Sequence, residues 1–92
     1  MKVIGVFRKA GTFTDRQTNK EVQYDNAMLA VALAPAEVGK TVTPIDGETV
    51  ELVKMPYTVY QAEEKRHGGS PVGMDIRLVY GKYSKVQGFD IL

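Results

Sequence analysis

Nine glycines and four prolines are spread along this chain, and the stretches between them are short and rich in Val, Ile, Tyr, Phe and Thr. That punctuation leaves room for strands joined by turns and for very little helix. Residues 1–92 make one domain, because two would each be too small to bury a core. A compact chain of this length has a radius of gyration of about 12 Å.

Residues 2–9, KVIGVFRK, read as a strand with Val3 and Phe7 on one face and Ile4 and Val6 on the other. AGTFTDRQTNKEVQYDN reads as strand, polar tip (DRQTNK) and returning strand, since Asp and Asn tolerate turn conformations. On the returning strand the apolar parity changes: Val22 and Tyr24 are even, Leu29, Val31 and Leu33 odd. Strict alternation then predicts a β-bulge over Asp25–Ala27, of the kind that bends strands at barrel corners. A helix over 27–34 is the alternative. In TVELVK (49–54), Val50 and Leu52 share a face. YTVY (57–60) reads as extended, and QAEEKRHGGSPVG (61–73) as an exposed mobile loop with at most a helical turn in QAEEKR. MDIRLVY alternates, placing Met74, Ile76, Leu78 and Tyr80 inward against Asp75 and Arg77 outward. After a GKYSK turn, VQGFDIL closes the chain with Phe89 and Ile91 inward, and Gly88 marks a bulge or a close backbone approach. The expected fold is mainly β: a small five- to six-stranded antiparallel barrel with at most one short helical segment.

Little in the sequence points to catalysis. APAEVGKT (34–41) nearly matches a phosphate-binding loop, but such a loop needs a helix after it, and VTPIDGE cannot supply one. Pro35–Glu37 instead predicts one helical turn with Lys40 in solvent. His67 is the only histidine and reads as a solvated loop residue, and Ser70 lacks a second histidine as base. Without cysteine there is no thiolate, disulfide or cysteine-bound zinc. Glu48 and Glu51 read as solvated strand charges. The expectation is a non-enzymatic protein with no cofactor, metal or nucleotide. No apolar stretch reaches the roughly 20 residues of a membrane helix, and the absence of disulfides favours the cytoplasm.

What remains is binding. Twelve basic residues oppose eleven acidic ones, so any nucleic-acid site must come from segregation of charge. Basic and aromatic residues interleave twice: Lys9, Phe13, Arg16 and Lys20 in the first hairpin, and Arg77, Lys82, Tyr83 and Lys85 near the last. Lys65 and Arg66 add charge between them. Cations that follow phosphates and rings that stack on bases are what single-strand binders combine. Phe7 and Tyr80 fall on apolar faces and are expected in the core.

The order of elements resembles small single-stranded DNA-binding proteins of phages and conjugative elements, which are OB-fold-like barrels. QYDNAMLAVALAPAEVGK followed by ETVELVKMPY is also similar to a small protein family encoded by integrative conjugative elements of Gram-positive bacteria. The matching residues are Pro35-Ala36-Glu37 with Gly39, and Val50-Glu51-Leu52-Val53. The resemblance implies a cytoplasmic protein, free to dimerise, that coats single-stranded DNA. A structural or protein-interaction domain of such an element is the other expectation, and an open edge strand leaves room for a homodimer.

Overall fold

In the computed structural model, which describes residues 1–92, five strands, one α-helix and two short 3-10 turns follow in order: β1 (Lys2–Thr14), β2 (Glu21–Leu33), a turn at Pro35–Glu37, β3 (Thr49–Pro56), α1 (Tyr57–His67), β4 (Ile76–Tyr80), a turn at Lys82–Ser84, and β5 (Val86–Ile91). The fold is mainly β, as expected. β1, β2 and β3 form one antiparallel sheet and β4–β5 a second. The sheets meet where Lys2 bridges Asp75. There the Val3 amide donates to the Met74 carbonyl (3.0 Å), and the Gly73 and Ile76 amides donate to the carbonyls of Val3 (2.8 Å) and Met1 (2.9 Å). β5 also packs beside β3 and α1.

The core lies between the inner face of the first sheet, the helix and the second sheet. Val3, Ala27, Leu29, Val31, Met55, Tyr60, Ile76 and Phe89 are buried there. Only 11 of 92 residues are buried, and the radius of gyration is 15.0 Å, larger than a compact chain of this length would have. The cause is the first hairpin. β3 pairs with β2 only as far as Asn26↔Pro56, so residues 10–14 and 21–25 continue as a two-stranded ribbon with no third strand beside them.

The same ribbon explains the parity change in β2, and it corrects the expected bulge. The β1–β2 register runs unbroken through Asp25–Ala27. Nearer the root, odd residues of β2 face the core. Along the ribbon there is no core beneath them, and the inner face becomes polar, with Thr12, Gln23 and an Arg8–Asp25 ion pair (2.6 Å). Arg8 also lies 4.0 Å from the centre of the Tyr57 ring. The apolar residues of the ribbon occupy the opposite face. The bulge is instead in β1, where the register shifts between Val3 and Gly5. It puts both Val3 and Val6 on the core side and sends Phe7 outward, 47% exposed rather than buried. The 27–34 segment is strand, not helix.

The second correction is α1. The YTVY stretch read as extended, and the loop assigned to 61–73, contain an 11-residue helix. β-branched and aromatic residues lower helix propensity only slightly, and tertiary packing overrides it. Tyr57 and Val59 pack against the core and Tyr60 is buried in it, its ring 6.5 Å from that of Phe89. The Tyr60 hydroxyl donates to Glu64 one turn on (2.7 Å). The helix ends where Gly68 enters the left-handed region (φ 78°) and the Gly69 amide reaches back to the Glu64 carbonyl (2.9 Å). Lys65, Arg66 and His67 crowd the last turn, where cations favour the helix dipole.

His67 is therefore not a solvated loop residue. Its ring stacks on Phe89 at 5.2 Å, and Nε2 lies 2.8 Å from the Phe89 carbonyl oxygen. Beside it, Glu63 fastens the helix to β5. Its carboxylate accepts the Phe89 amide (3.0 Å) and both Nε and Nη2 of Arg66 (3.1 and 2.8 Å). The Arg66 guanidinium, and then the amide, hold the Glu63 carboxyl below the usual range against the opposing effect of burial. Gly88 marks the close approach expected of it, since a Cβ there would sit 2.8 Å from the Glu63 carboxyl carbon.

The remaining expectations divide. Val53 and Met55 turn inward from β3, while Val50 and Leu52 lie outward, 48% and 57% exposed. Ile76 is buried, but Met74 and Tyr80 of the alternating MDIRLVY stretch are half exposed. The turn at Pro35–Glu37 forms as predicted, and residues 38–48 carry no helix, so no helix start faces the Gly39–Thr41 backbone. No helix of the fold is long and apolar enough to cross a membrane.

Candidate nucleic-acid interface

The register of the first sheet decides which side chains share its outer face, the side away from the core. Across the strands, Phe13 lies opposite Val22, Gly11 opposite Tyr24, and Lys9 opposite Asn26. Phe7, Met28 and Lys54 form the next row, and Ala30 with Leu52 and Ala32 with Val50 complete the face toward the root. No Asp or Glu occurs at these positions. The carboxylates of β1–β3 (Glu21, Asp25 and Glu51) alternate to the other side. The face thus combines lysines, exposed apolar groups and aromatic rings, with nothing on it to repel a phosphate.

Phe13 is 52% exposed, and its ring centre lies 6.3 Å from that of Tyr24 at a tilt of 39°. Gly11 permits this arrangement. A Cβ there would fall 2.7 Å from the Tyr24 hydroxyl, so the ring lies across β1 only because the position is empty. Phe7 is six residues from Phe13 on the same strand, roughly 20 Å at strand spacing. Lys9 stands between the ring pair and Phe7, and Lys54 shares the row of Phe7 across Met28.

One cleft lies on this face, and a second adjoins it at the Pro56 end of β3, where Met55 also lines it. The first is lined by Lys9, Phe13, Tyr24, Asn26, Met28 and Lys54. The second continues from Asn26 and Lys54 past Pro56 to Ser84, Lys85 and Val86 of the β4–β5 turn. That turn is strained. Tyr83 (φ 60°) and Ser84 (φ 57°) both occupy the left-handed region that non-glycine residues avoid. It leaves the Tyr83 ring 90% exposed.

Of the residues singled out from sequence, the fold gathers Lys9, Phe13 and Lys85 along these clefts, with Lys82 and Tyr83 in the adjoining turn. Arg16 and Lys20 sit at the ribbon tip, where the Asp15 carboxylate accepts the Gln17 amide (2.8 Å) and Asn19 adopts φ 58°. Lys65 lies on α1, on the core side of the sheet and away from the outer face. Arg66 and Arg77 are not brought to the face. Both converge on Asp90 (3.2 and 3.4 Å), and Arg66 also pairs with Glu63. The two guanidiniums, Arg66 foremost, hold the Asp90 carboxyl below its ordinary range. Three of the four arginines are thus in ion pairs, as Arg8 is with Asp25, whereas none of the eight lysines is.

Sequence reasoning missed Phe7, Tyr24, Asn26, Met28 and Lys54. A signal for them was present. A hairpin register centred between Gln17 and Thr18, inside the polar tip, puts Phe7 beside Met28 and Lys9 beside Asn26. Comparison with protein-family models, curated proteins and solved structures gave no match for this chain.

Proposed function

We propose that this protein is a non-enzymatic single-stranded DNA-binding module that holds the strand along the outer face of β1–β3. One observation carries this: the sheet face that exposes Phe7 and Phe13, with Tyr24 half-buried beside Phe13, also carries Lys9 and Lys54 and no carboxylate. The phosphates follow Lys9, Lys54 and Lys85, with Arg16, Lys20 and Lys82 extending the track at either end. Phe13, Tyr24 and Tyr83 stack on bases, an interaction worth roughly 1–3 kcal/mol per base.

The strand order supports an OB-like arrangement as the scaffold. Three antiparallel strands are followed by a helix and a hairpin. The start of β1 runs beside the start of β4, and β5 packs near β3. In OB-folds the outer face of strands 2 and 3, together with the loops joining strands 1–2 and 4–5, binds oligonucleotides. Here the ribbon tip and the Tyr83 turn are those two loops.

The second reading, a protein-interaction domain, is favoured by the root of the same face, where Ile4, Val50 and Leu52 are each 46–57% exposed and Lys2 is the one charged residue in their rows. Titrating labelled oligo-dT at several salt concentrations separates the two. Strand binding requires an anisotropy rise that weakens as salt increases. No change with micromolar protein at low salt would remove it and leave the interaction domain.

A further inference from the structure

We infer that this protein forms a dimer in which the β1 strands of two copies pair edge to edge, antiparallel about Ala10, and join two three-stranded sheets into one of six. β1 is an edge strand of its sheet. On its free side the root is already occupied, since the Val3 amide and carbonyl bond to Met74 and Gly73. Past the bulge at Val3–Gly5 that side has no partner as far as the hairpin tip. β1 pairs there with β2 alone, and none of the turn and loop hydrogen bonds involves residues 4–14. The Asp15 amide donates to the Lys20 carbonyl (2.8 Å), which sets the phase of the ladder. Odd residues of β1 bond to β2, so the amides and carbonyls of Val6, Arg8, Ala10, Thr12 and Thr14 point to the open edge. An edge of this length, with no proline and no bulge in it, is a template for another strand.

One register suits that edge. A two-fold axis that uses all of Val6–Thr14 passes through its middle, Ala10. It sets Val6 against Thr14 of the second copy, Arg8 against Thr12 and Ala10 against Ala10, a ladder of about ten backbone hydrogen bonds. The side chains select the same register. On the outer face Phe7 meets Phe13 of the second copy, twice by symmetry, and Lys9 meets Gly11. Both rings are about half exposed in a single copy, and aromatic pairs directly opposite one another stabilise a sheet. An axis at Lys9 would oppose two ammonium groups, and an axis at Gly11 would set Phe7 against Asp15. The pairing also supplies what the first hairpin lacks. Residues 10–14 and 21–25 form a ribbon of two strands, marginal by itself, and the second copy lays residues 6–10 of its β1 beside it as a third. The lysine and aromatic face then runs unbroken from one β3 to the other.

The dimer is read without nucleic acid, so it stands or falls apart from strand binding. Sedimentation equilibrium of the whole chain at micromolar concentrations should give twice the mass of one chain. Thr12→Pro removes an amide that points to the open edge and leaves the β2 ladder whole, so circular dichroism should show it folded while it sediments as a monomer. Single cysteines fix the register, since the chain has none of its own. Under mild oxidation Ala10→Cys should become a covalent dimer, its two Cα atoms lying about 5.5 Å apart across the axis and within disulfide reach. Thr14→Cys, whose twin is about 27 Å away along the strands, should stay uncross-linked over the same time. A wild-type chain that remains monomeric up to hundreds of micromolar overturns the dimer. A dimer that folded Thr12→Pro keeps, or cross-linking no faster in Ala10→Cys than in Thr14→Cys, overturns pairing through this edge.

Discussion

Replacing Phe13 separates the stability of the fold from the function of its outer face. Phe13 lies on the ribbon, past the last row that β3 shares, and about half of its surface is exposed. Complete burial of such a side chain is worth roughly 1.5–3 kcal/mol, so Phe13→Ala should cost about 1 kcal/mol. The tilted contact with Tyr24 adds a further ~0.5 kcal/mol. In a domain of this size the melting temperature should then fall by about 6–12 °C. If the ring stacks on a base, the same substitution removes about 1–3 kcal/mol of binding, a five- to hundredfold rise in Kd. Phe13→Leu sharpens the comparison. It keeps most of the apolar area, hence most of the stability, but has no flat π-face. Thermal melts by circular dichroism and anisotropy titrations with labelled dT8 measure the two quantities. The expected pattern is Phe13→Leu folded nearly as stably as wild type and at least fivefold weaker in binding. A Phe13→Leu protein that binds within twofold of wild type would refute base stacking at this position.

Three other perturbations probe the frame around the face. Glu63→Ala leaves the Phe89 amide and Arg66 without their acceptor and should destabilise by about 3 kcal/mol, whereas Glu63→Gln keeps an acceptor for the amide and should cost about half of that; equal losses in urea melts would show that the amide contact is idle. Burial, with Glu64 beside its hydroxyl, pushes the Tyr60 phenol up to about 12. A phenol raised in the folded state favours folding below its ordinary value near 10 and loses that contribution as pH climbs through 12. About 2–3 kcal/mol of stability should therefore vanish between pH 10 and 12, and Tyr60→Phe should abolish that portion of the decline in alkaline melts. Tyr83→Gly relieves a left-handed backbone whose side chain packs on little, so it should leave the melting temperature unchanged or raise it by a few degrees, yet weaken oligo-dT binding severalfold; a drop in stability would mean that the ring is holding the turn.

Much of the architecture was legible from alternation and punctuation. All the strands lie where their β-branched runs and turn residues put them, and the stop of α1 is written in His67-Gly68-Gly69. The start of α1 was not legible, because Tyr57 to Tyr60 have strand-like composition and become helical only when Tyr60 has Phe89 to pack against. The outer face was hidden by an assumption. Treating apolar residues as inward-facing turned the parity change in β2 into a bulge, when Val22 and Tyr24 were lining a second, solvent-facing surface. The same assumption put Phe7 and Tyr80 in the core. The capture of Arg66 and Arg77 by Asp90 depends on contacts 24 and 13 residues apart in the chain, which no local pattern announces. Lys54 looked like any strand lysine until pairing with β2 placed it beside Met28 and Phe7.

Charge reversal at Lys54 tests the outer face most directly, with Lys65→Glu on α1 as a control of identical charge change on the opposite side of the sheet. Anisotropy of labelled dT8 across a salt series should give wild type a slope of log affinity on log salt of about −4, as phosphate contacts by Lys9, Lys54, Lys85, Arg16, Lys20 and Lys82 imply. Lys65→Glu should stay within about threefold of wild type. Lys54→Glu should bind at least tenfold more weakly with a shallower slope. Equal effects of the two substitutions would mean that the strand responds to overall charge alone and that this face has no special part in binding.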